Sequence, residues 1–251
     1  METTIRVLVA LALTGLLVLL RLDAEHFGAA EYDEPVPGVT WLAAWTRRVT
    51  WYAIGLALVI AIIVVHPAPQ TDLRLAVGDR AGGIGLGLLL GLAGIAQALA
   101  IAWFHYRRLR LPGVGMYPGA LGNEILTAFI DEATFRGALL GFLVVAGIDA
   151  NLAILGQAFV YTLATRLGAP GRDPYLFLVS LVVGIVAGWA TIATGGIGAA
   201  FLGHAITRVA IFLTTGHAGQ PAARGHELED VERSRQAPDG WAPVDEPEAT
   251  R

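Results

Sequence analysis

The chain has 251 residues, of which 55% are hydrophobic and 15% are charged, and its net charge is −4. Soluble domains carry about 25% charged residues, so this composition excludes an ordinary soluble enzyme and indicates a polytopic membrane protein. The chain has no cysteine, which excludes disulfides, thiolate metal sites and a cysteine nucleophile. There is no basic stripe of the kind that binds nucleic acid.

Apolar segments along the chain predict an all-α, polytopic transmembrane bundle of about seven helices. The first segment could be a signal peptide, but Arg21 and Asp23 follow it instead of a small-residue cleavage site, so we interpret it as an uncleaved helix. The fourth is longer than a bilayer requires, and we expect it to be broken, tilted or preceded by an interfacial helix. The segments cover residues 5–22, 49–65, 81–104, 117–146, 150–165, 175–193 and 197–213.

Glycines recur at four-residue spacing in two of these segments. In the third segment, Gly83, Gly87 and Gly91 predict a close helix–helix contact. A nucleotide-binding glycine loop would need a preceding strand, which the pattern does not indicate. Gly184 and Gly188 predict a similar contact for the sixth segment.

The distribution of arginine predicts the topology, because cytoplasmic loops are rich in basic residues. One side of the seven-helix arrangement would carry Arg21, Arg47, Arg48, Arg107, Arg108, Arg110, Arg166 and Arg172. The other side would carry only Arg6, Arg74 and Arg80. We therefore expect the N-terminus outside and the C-terminal tail in the cytoplasm. The expected location is the plasma membrane of a bacterium.

The C-terminal residues 216–251 are rich in proline, alanine and acidic residues. Such a segment has too little apolar surface to bury, and we expect a disordered acidic tail. It is either a solvated appendage or a docking segment.

Ionisable residues inside two apolar segments are the main functional signal. A charge in hydrocarbon costs about 2.5–3.5 kcal/mol on insertion scales, so these groups should face the bundle interior or a water-filled cavity. Glu132 and Arg136 have the spacing of a structural ion pair, which leaves Asp131 as an unpaired carboxylate free to act as a base. The full set is Glu124, Asp131, Glu132, Arg136, His204 and Arg208.

Several of these side chains also have a simpler interpretation. Arg208 is either directed into the same cavity as His204, four residues before it, or extended to the cytoplasmic interface. Glu124 is expected near the membrane surface. The remaining histidines, at segment ends, in loops or in the tail, are expected to be mostly solvated; they are His26, His66, His105, His217 and His226.

Residues 131–137, with the sequence DEATFRG, resemble the E-E-x-x-x-R motif of the CPBP family, the CAAX-protease and bacteriocin-processing (Abi) membrane proteins. A second family motif, F-x-x-x-H, falls at residues 159–163, where Leu163 replaces the histidine. A third, H-x-x-x-N or H-x-x-x-D, falls at residues 204–208, where Arg208 stands at the last position. This resemblance divides the chain into N-terminal helices (1–116), a CPBP-like core (117–215) and the tail (216–251).

The resemblance implies an intramembrane endopeptidase that cleaves peptide bonds of membrane-associated substrates with an activated water. It assigns catalytic roles to Asp131, Glu132 and His204, with Arg136 and Arg208 as structural or oxyanion support. The implied partners are the lipid bilayer and a peptide or protein substrate, and the oligomeric state is not indicated. We expect no cofactor, and a divalent metal is disfavoured because the dedicated ligands are too few.

Departures from the family pattern leave the activity open. Asp131 is one methylene shorter than glutamate, and Leu163 can neither move a proton nor bind a metal. The alternative is a catalytically inactive homologue that acts as a membrane scaffold or immunity protein. A transporter that uses Asp131 for proton coupling is a third possibility, but the inverted repeat expected of one is not visible.

Overall fold

The computed structural model describes residues 2–30, 39–106, 117–166 and 174–215, and within these ranges it contains helices and no strand. The all-α prediction is therefore confirmed. The predicted tail and the loop arginines at 107, 108, 110 and 172 lie outside the described residues. The helices are α1 (Glu2–Leu22), α2 (Ala24–Phe27), α3 (Trp41–Val65), α4 (Pro69–Asp72), α5 (Arg80–Ile101), α6 (Tyr117–Asp131), α7 (Leu140–Val145), α8 (Ala150–Arg166), α9 (Pro174–Thr194) and α10 (Gly198–Thr215).

Five helices are long and apolar enough to cross a membrane, and they coincide with the first, second, third, sixth and seventh predicted segments. The fourth predicted segment consists of α6 and α7, joined without a break by the π-helix Glu132–Leu139. The fifth is α8, with 17 residues. The chain is thus an integral, multi-pass membrane protein, and the irregularity expected in the fourth segment is a π-helix within a continuous helix.

Local signals in the sequence set the ends of α3 and α5. The Thr40 hydroxyl accepts a hydrogen bond from Ala43 N (3.4 Å), and the Asp79 carboxylate accepts one from Gly82 N (2.8 Å). Each side chain thereby satisfies one of the backbone donors that a helix leaves unpaired at its N-terminus. Pro67 follows α3 closely and cannot continue a helix, which agrees with the end of that helix at Val65.

The predicted glycine contact of the third segment lies between α5 and α10. A Cβ added at Gly87 would lie 2.9 Å from Leu202 Cβ, and one at Gly91 would lie 2.7 Å from Ile206 Cδ1. Gly83 has open space around it and contributes no such contact. The prediction is confirmed for two of the three glycines, and the close approach fixes α10 against α5.

A second glycine contact joins α9 to α8, as predicted. A Cβ at Gly184 would lie 2.9 Å from Ala158 Cβ, and one at Gly188 would lie 2.5 Å from Gln157 Nε2. The Gln157 side chain also donates to Gly184 O at 2.8 Å. Small residues therefore let α8 and α9 pack closely enough for a side-chain-to-backbone hydrogen bond.

The connection from α4 to α5 links two distant parts of the bundle. Arg74 N donates to Gly137 O in the π-helix (3.1 Å). Ile197, in the turn between α9 and α10, donates from its backbone N to Arg74 O (3.1 Å) and Ala76 O (2.9 Å). This connection therefore couples the position of the π-helix to the start of α10.

The expectation that His66 is solvated is wrong. Its side chain is 2% exposed and meets the ring of Phe142 edge-on, with the ring centroids 5.5 Å apart. The residue follows the last residue of α3, where the chain turns back towards α7 instead of leaving the bundle.

Candidate active site

The site begins at the π-helix, which carries the first family motif. A π-helix has a wider turn than an α-helix, and short π-helical segments frequently occur at functional sites. Seven consecutive residues of this segment, from Glu132 to Ala138, are buried. The segment thus presents Glu132 and Arg136 to the bundle interior.

Glu132 and His204 meet across the bundle. The Oε1 atom of Glu132 lies 2.7 Å from His204 Nδ1, and both side chains are buried. The same oxygen lies 3.2 Å from Arg136 Nη1, close enough for an ion pair but not aligned as a hydrogen bond. The structure therefore brings together three of the predicted site residues, from two motifs that are 72 residues apart.

Asp131 is not the unpaired carboxylate that the sequence suggested. Arg21 Nε donates to Asp131 Oδ1 at 2.7 Å, and the two side chains are 1% and 0% exposed. Arg21 was assigned to a loop, but it lies in the last turn of α1 inside the bundle. The prediction failed because a buried charge needs a counter-ion, and a partner 110 residues away is not visible in local spacing.

Arg208 pairs with Glu124 inside the bundle, which contradicts the interpretation of Arg208 as a side chain extended to the interface. Arg208 Nε lies 2.8 Å from Glu124 Oε2, and their side chains are 5% and 0% exposed. Asn123 Nδ2 contacts the other carboxylate oxygen at 3.2 Å. Arg208 also does not pair with Asp131, whose partner is Arg21.

Neutral polar side chains complete the surroundings of Glu124. The hydroxyl of Tyr52 hydrogen-bonds to the side chain of Asn123 and lies 2.8 Å from Thr127 Oγ1. Asn123 Nδ2 also donates to Ala30 O at 2.9 Å. We call this group the Glu124 cluster; its members are Tyr52, Asn123, Glu124, Thr127 and Arg208.

Tyr161 from α8 is a site residue that the sequence reasoning missed. The Arg136 guanidinium carbon lies 4.1 Å from the centre of the Tyr161 ring, a cation–π arrangement. The same ring meets His204 edge-on at 6.3 Å. We call the group around Glu132 the motif-one cluster; its members are Arg21, Asp131, Glu132, Arg136, Tyr161 and His204.

Leu163 occupies the position of the family's second histidine but lies on a different face of α8. It comes two residues after Tyr161, which is about 200° around a helix, so it is directed away from Arg136 and His204. The buried, polar face formed by Gln157 and Tyr161 at i and i+4 was the sequence signal that could have identified Tyr161.

Six of the twelve buried side-chain nitrogen and oxygen atoms that have no hydrogen-bond partner among the described residues lie in or beside the motif-one cluster. Buried polar groups are almost always satisfied by protein or water, so these atoms mark where a water or a polar substrate group would bind. They are Asp131 Oδ2, Glu132 Oε2, Thr134 Oγ1 and the three side-chain nitrogens of Arg136.

The described residues contain no group of three or more His, Asp or Glu side chains that could hold a metal ion. A catalytic zinc site takes three protein ligands, so this donor set does not fit one.

A family model, type II CAAX prenyl endopeptidase Rce1-like, matches residues 113–210. The resemblance to the CPBP family is confirmed. At the level of that family, the match supports a CAAX-protease-like intramembrane endopeptidase. No curated protein and no solved structure matches the chain. The matched range includes the π-helix, Tyr161 and His204, whereas Arg21 lies outside it.

Proposed function

We propose that this chain is an intramembrane endopeptidase that hydrolyses peptide bonds of membrane-associated substrates with a water activated in the motif-one cluster. The observation that carries the proposal is the 2.7 Å contact between Glu132 Oε1 and His204 Nδ1. This contact joins two family motifs inside the bundle, and it leaves the second nitrogen of the imidazole available to a substrate.

Asp131 is the proposed base. Its Oδ1 atom is bound by Arg21, while Oδ2 has no hydrogen-bond partner among the described residues. A carboxylate oxygen within hydrogen-bond reach of a water can take its proton as the water attacks a carbonyl carbon. The pairing with Arg21 therefore selects Oδ2 as the oxygen that does so.

His204 is the proposed electrophilic group, with Glu132 as its orienting partner. Because Nδ1 contacts Glu132, Nε2 is the nitrogen that would face the substrate. An imidazole protonated at both nitrogens donates from Nε2 to the oxyanion that forms when water adds to the carbonyl. Arg136, held over Tyr161, contacts the same Glu132 oxygen as His204 and supports the orientation of Glu132.

The reaction balances with these residues alone. The water oxygen bonds to the carbonyl carbon as one water proton moves to Asp131 Oδ2. When the tetrahedral intermediate collapses, the carbon–nitrogen bond breaks and that proton passes to the leaving amine. The products are a new carboxyl terminus and a new amino terminus, and Asp131 is again a carboxylate. In this scheme Arg208 supports the bundle through Glu124 and does not contact the substrate.

We also propose a bacterial plasma membrane as the location of the chain. The arginine distribution supports an orientation with the N-terminus outside and residues 216–251 in the cytoplasm. We also propose that the division into N-terminal helices (1–116) and core (117–215) describes the chain order and not functional independence. The pairing of Arg21 with Asp131 supports that view, because it makes α1 part of the site.

A catalytically inactive homologue, acting as a membrane scaffold or immunity protein, is the second candidate. The observation that favours it is the pairing of every charged residue of the motif-one cluster, together with the absence of a histidine at position 163. Such pairing would also be expected of charges that serve only to specify the fold.

The test is cleavage of a quenched peptide library in liposomes by the wild type, Asp131→Ala and Asp131→Asn. Asp23→Ala is the matched control, because Asp23 is exposed and its side chain makes no cap hydrogen bond. We expect cleavage by the wild type and the control only. Normal cleavage by a folded Asp131 variant would contradict the proposed mechanism. A folded wild type that cleaves nothing would favour the inactive homologue.

A further inference from the structure

We propose that Arg21, in α1, is a positioning residue that holds Asp131 ionised and directs its Oδ2 atom towards the reacting water. The inference rests on the proposed function for its catalytic meaning, but the charge state that it assigns to Asp131 can be tested separately. It also extends the site to a helix that the family match does not cover.

The geometry is that of a strong, buried ion pair. Arg21 Nε lies 2.7 Å from Asp131 Oδ1, and both side chains are almost completely removed from solvent. Charge-assisted hydrogen bonds of this length are roughly twice as strong as neutral ones. Two fully buried charges at this distance constrain each other far more than an exposed pair would.

The backbone around Arg21 is held in place by a second element. Trp51 Nε1, in α3, donates to Leu20 O at 2.8 Å, one residue before Arg21. The Trp51 side chain is fully buried and meets the ring of Tyr52 edge-on, with centroids 5.0 Å apart. The end of α1 is therefore fixed against α3, so the Arg21 guanidinium approaches Asp131 from a defined direction.

The chemical role follows from where the arginine binds. An isolated carboxylate in an apolar interior would take up a proton and lose its charge. A guanidinium on Oδ1 favours the ionised form and leaves Oδ2 to accept a proton. It also gives a fixed position to an aspartate whose carboxyl group is one methylene closer to the backbone than that of glutamate. Misplacement of a reacting group by about 1 Å can cost about 10²-fold in rate.

A purely structural role for Arg21 makes a different prediction. If the pair only attached α1 to the bundle, loss of Arg21 would lower stability and leave the turnover of the folded fraction unchanged. If Arg21 positions Asp131, kcat of the folded fraction falls while KM changes little, and a conservative lysine restores part of the rate.

The first experiment compares Arg21→Gln, Arg21→Lys and Arg6→Gln in the full-length protein in liposomes. Arg6 is the matched control, because it lies on the same helix and its guanidinium bonds to the backbone oxygen of Val65, away from the site. For Arg21→Gln we expect kcat to fall about 10²-fold, with KM within about threefold. The kcat of Arg21→Lys should lie between that of Arg21→Gln and that of the wild type. An unchanged kcat in folded Arg21→Gln would overturn the proposal.

The second experiment determines the charge of the Asp131 carboxyl group by infrared spectroscopy, independently of enzyme activity. Infrared spectra of folded Arg21→Gln should contain a protonated-carboxyl stretch that is absent from the wild type and from Arg21→Gln/Asp131→Asn. Absence of that band in Arg21→Gln would overturn the assignment of the charge to Arg21. A wild type that is folded but inactive would refute the proposed function, and this spectrum would still decide the role of Arg21.

Discussion

The motif-one cluster and the Glu124 cluster place carboxylates of one helical segment next to residues of α10, yet they differ in how completely the carboxylates are satisfied. Glu124 and Glu132 are both fully buried, and each contacts an α10 side chain, Arg208 or His204. Both oxygens of Glu124 have a polar contact. Glu124 Oε2, Asp131 Oδ2 and Glu132 Oε2 each lack an aligned hydrogen bond among the described residues. Glu124 Oε2 is nevertheless held in an ion pair by Arg208, whereas the ion pairs of Asp131 and Glu132 are formed by their other oxygens.

This difference shows that burial of a charge inside a membrane bundle does not by itself identify a catalytic group. The Glu124 cluster surrounds its ion pair with amide and hydroxyl groups, as expected where the pair only has to be tolerated. The motif-one cluster leaves acceptor oxygens that a water can use. The comparison can be tested by making the same substitution in both clusters.

The largest expected effect is the loss of activity in Glu132→Gln, for which Glu124→Gln is the matched comparison. Both changes keep the side-chain size and remove one buried carboxylate. We expect Glu132→Gln to lower kcat/KM by about 10²–10⁴-fold, since it removes the charged partner of His204. Glu124→Gln should change kcat/KM by less than about tenfold per folded molecule. Equal losses in the liposome cleavage assay would remove the functional distinction between the clusters.

The next effect is on stability, in the Glu124 cluster. Arg208→Met alone leaves a buried carboxylate without its ion-pair partner and should cost about 3–5 kcal/mol. Glu124→Leu combined with Arg208→Met replaces the pair by apolar side chains and should recover most of that loss. Reversible unfolding in detergent micelles measures both variants. A double variant as unstable as the single one would mean that the pair itself stabilises the bundle.

A smaller effect is expected from the packing that positions His204. At Gly94 a Cβ would collide with Thr207 in α10, whereas at Gly83 a Cβ meets nothing within 4 Å. Gly94→Ala should destabilise the fold by about 1–3 kcal/mol and reduce activity, because α10 must shift. Gly83→Ala should leave stability and activity close to those of the wild type. Thermal unfolding and the cleavage assay together check this contrast.

The smallest expected effect concerns the aromatic ring of the motif-one cluster. Tyr161→Leu removes the ring beneath Arg136 and should cost about 0.5–2 kcal/mol of cation–π interaction beyond the change in packing. Tyr161→Phe retains a ring and should cost less. Leu163→Ala, on the other face of α8, should not affect the kinetics. Unfolding free energies measure the contribution of the Tyr161 ring, and cleavage kinetics of the three variants would show whether Tyr161 or the motif position at 163 belongs to the site.

Local features of the sequence were sufficient to predict the helices and the part of the site formed by Glu132 and Arg136. Long apolar runs predicted the membrane helices, and the glycine spacing predicted a close helix–helix contact at Gly87 and Gly91, whose partner the structure shows to be α10. The i, i+4 spacing predicted the pairing of Glu132 with Arg136. His204 was expected to face the interior because a polar side chain in an apolar helix needs a partner.

The remaining features depend on contacts between distant segments. Arg21 was counted as a loop residue because its partner, Asp131, lies 110 positions later. The same limitation applies to Glu124 and Arg208, whose spacing along the chain gives no indication that they meet. Tyr161 was overlooked because the family pattern directed attention to Leu163, and only the orientation of α8 shows which of the two faces the site.

During biosynthesis, α1 enters the membrane before α6, and α10 enters after it. Arg21 is therefore available to Asp131 as soon as α6 arrives, and Glu132 has Arg136 on its own helical segment, whereas the Glu124–Arg208 pair forms only when α10 is added. A charge at the centre of a bilayer costs about 2.5–3.5 kcal/mol until it is paired. A nascent chain that ends before α10 is thus less stable in the membrane. The addition of α10 completes the charge balance of the bundle and its membrane integration.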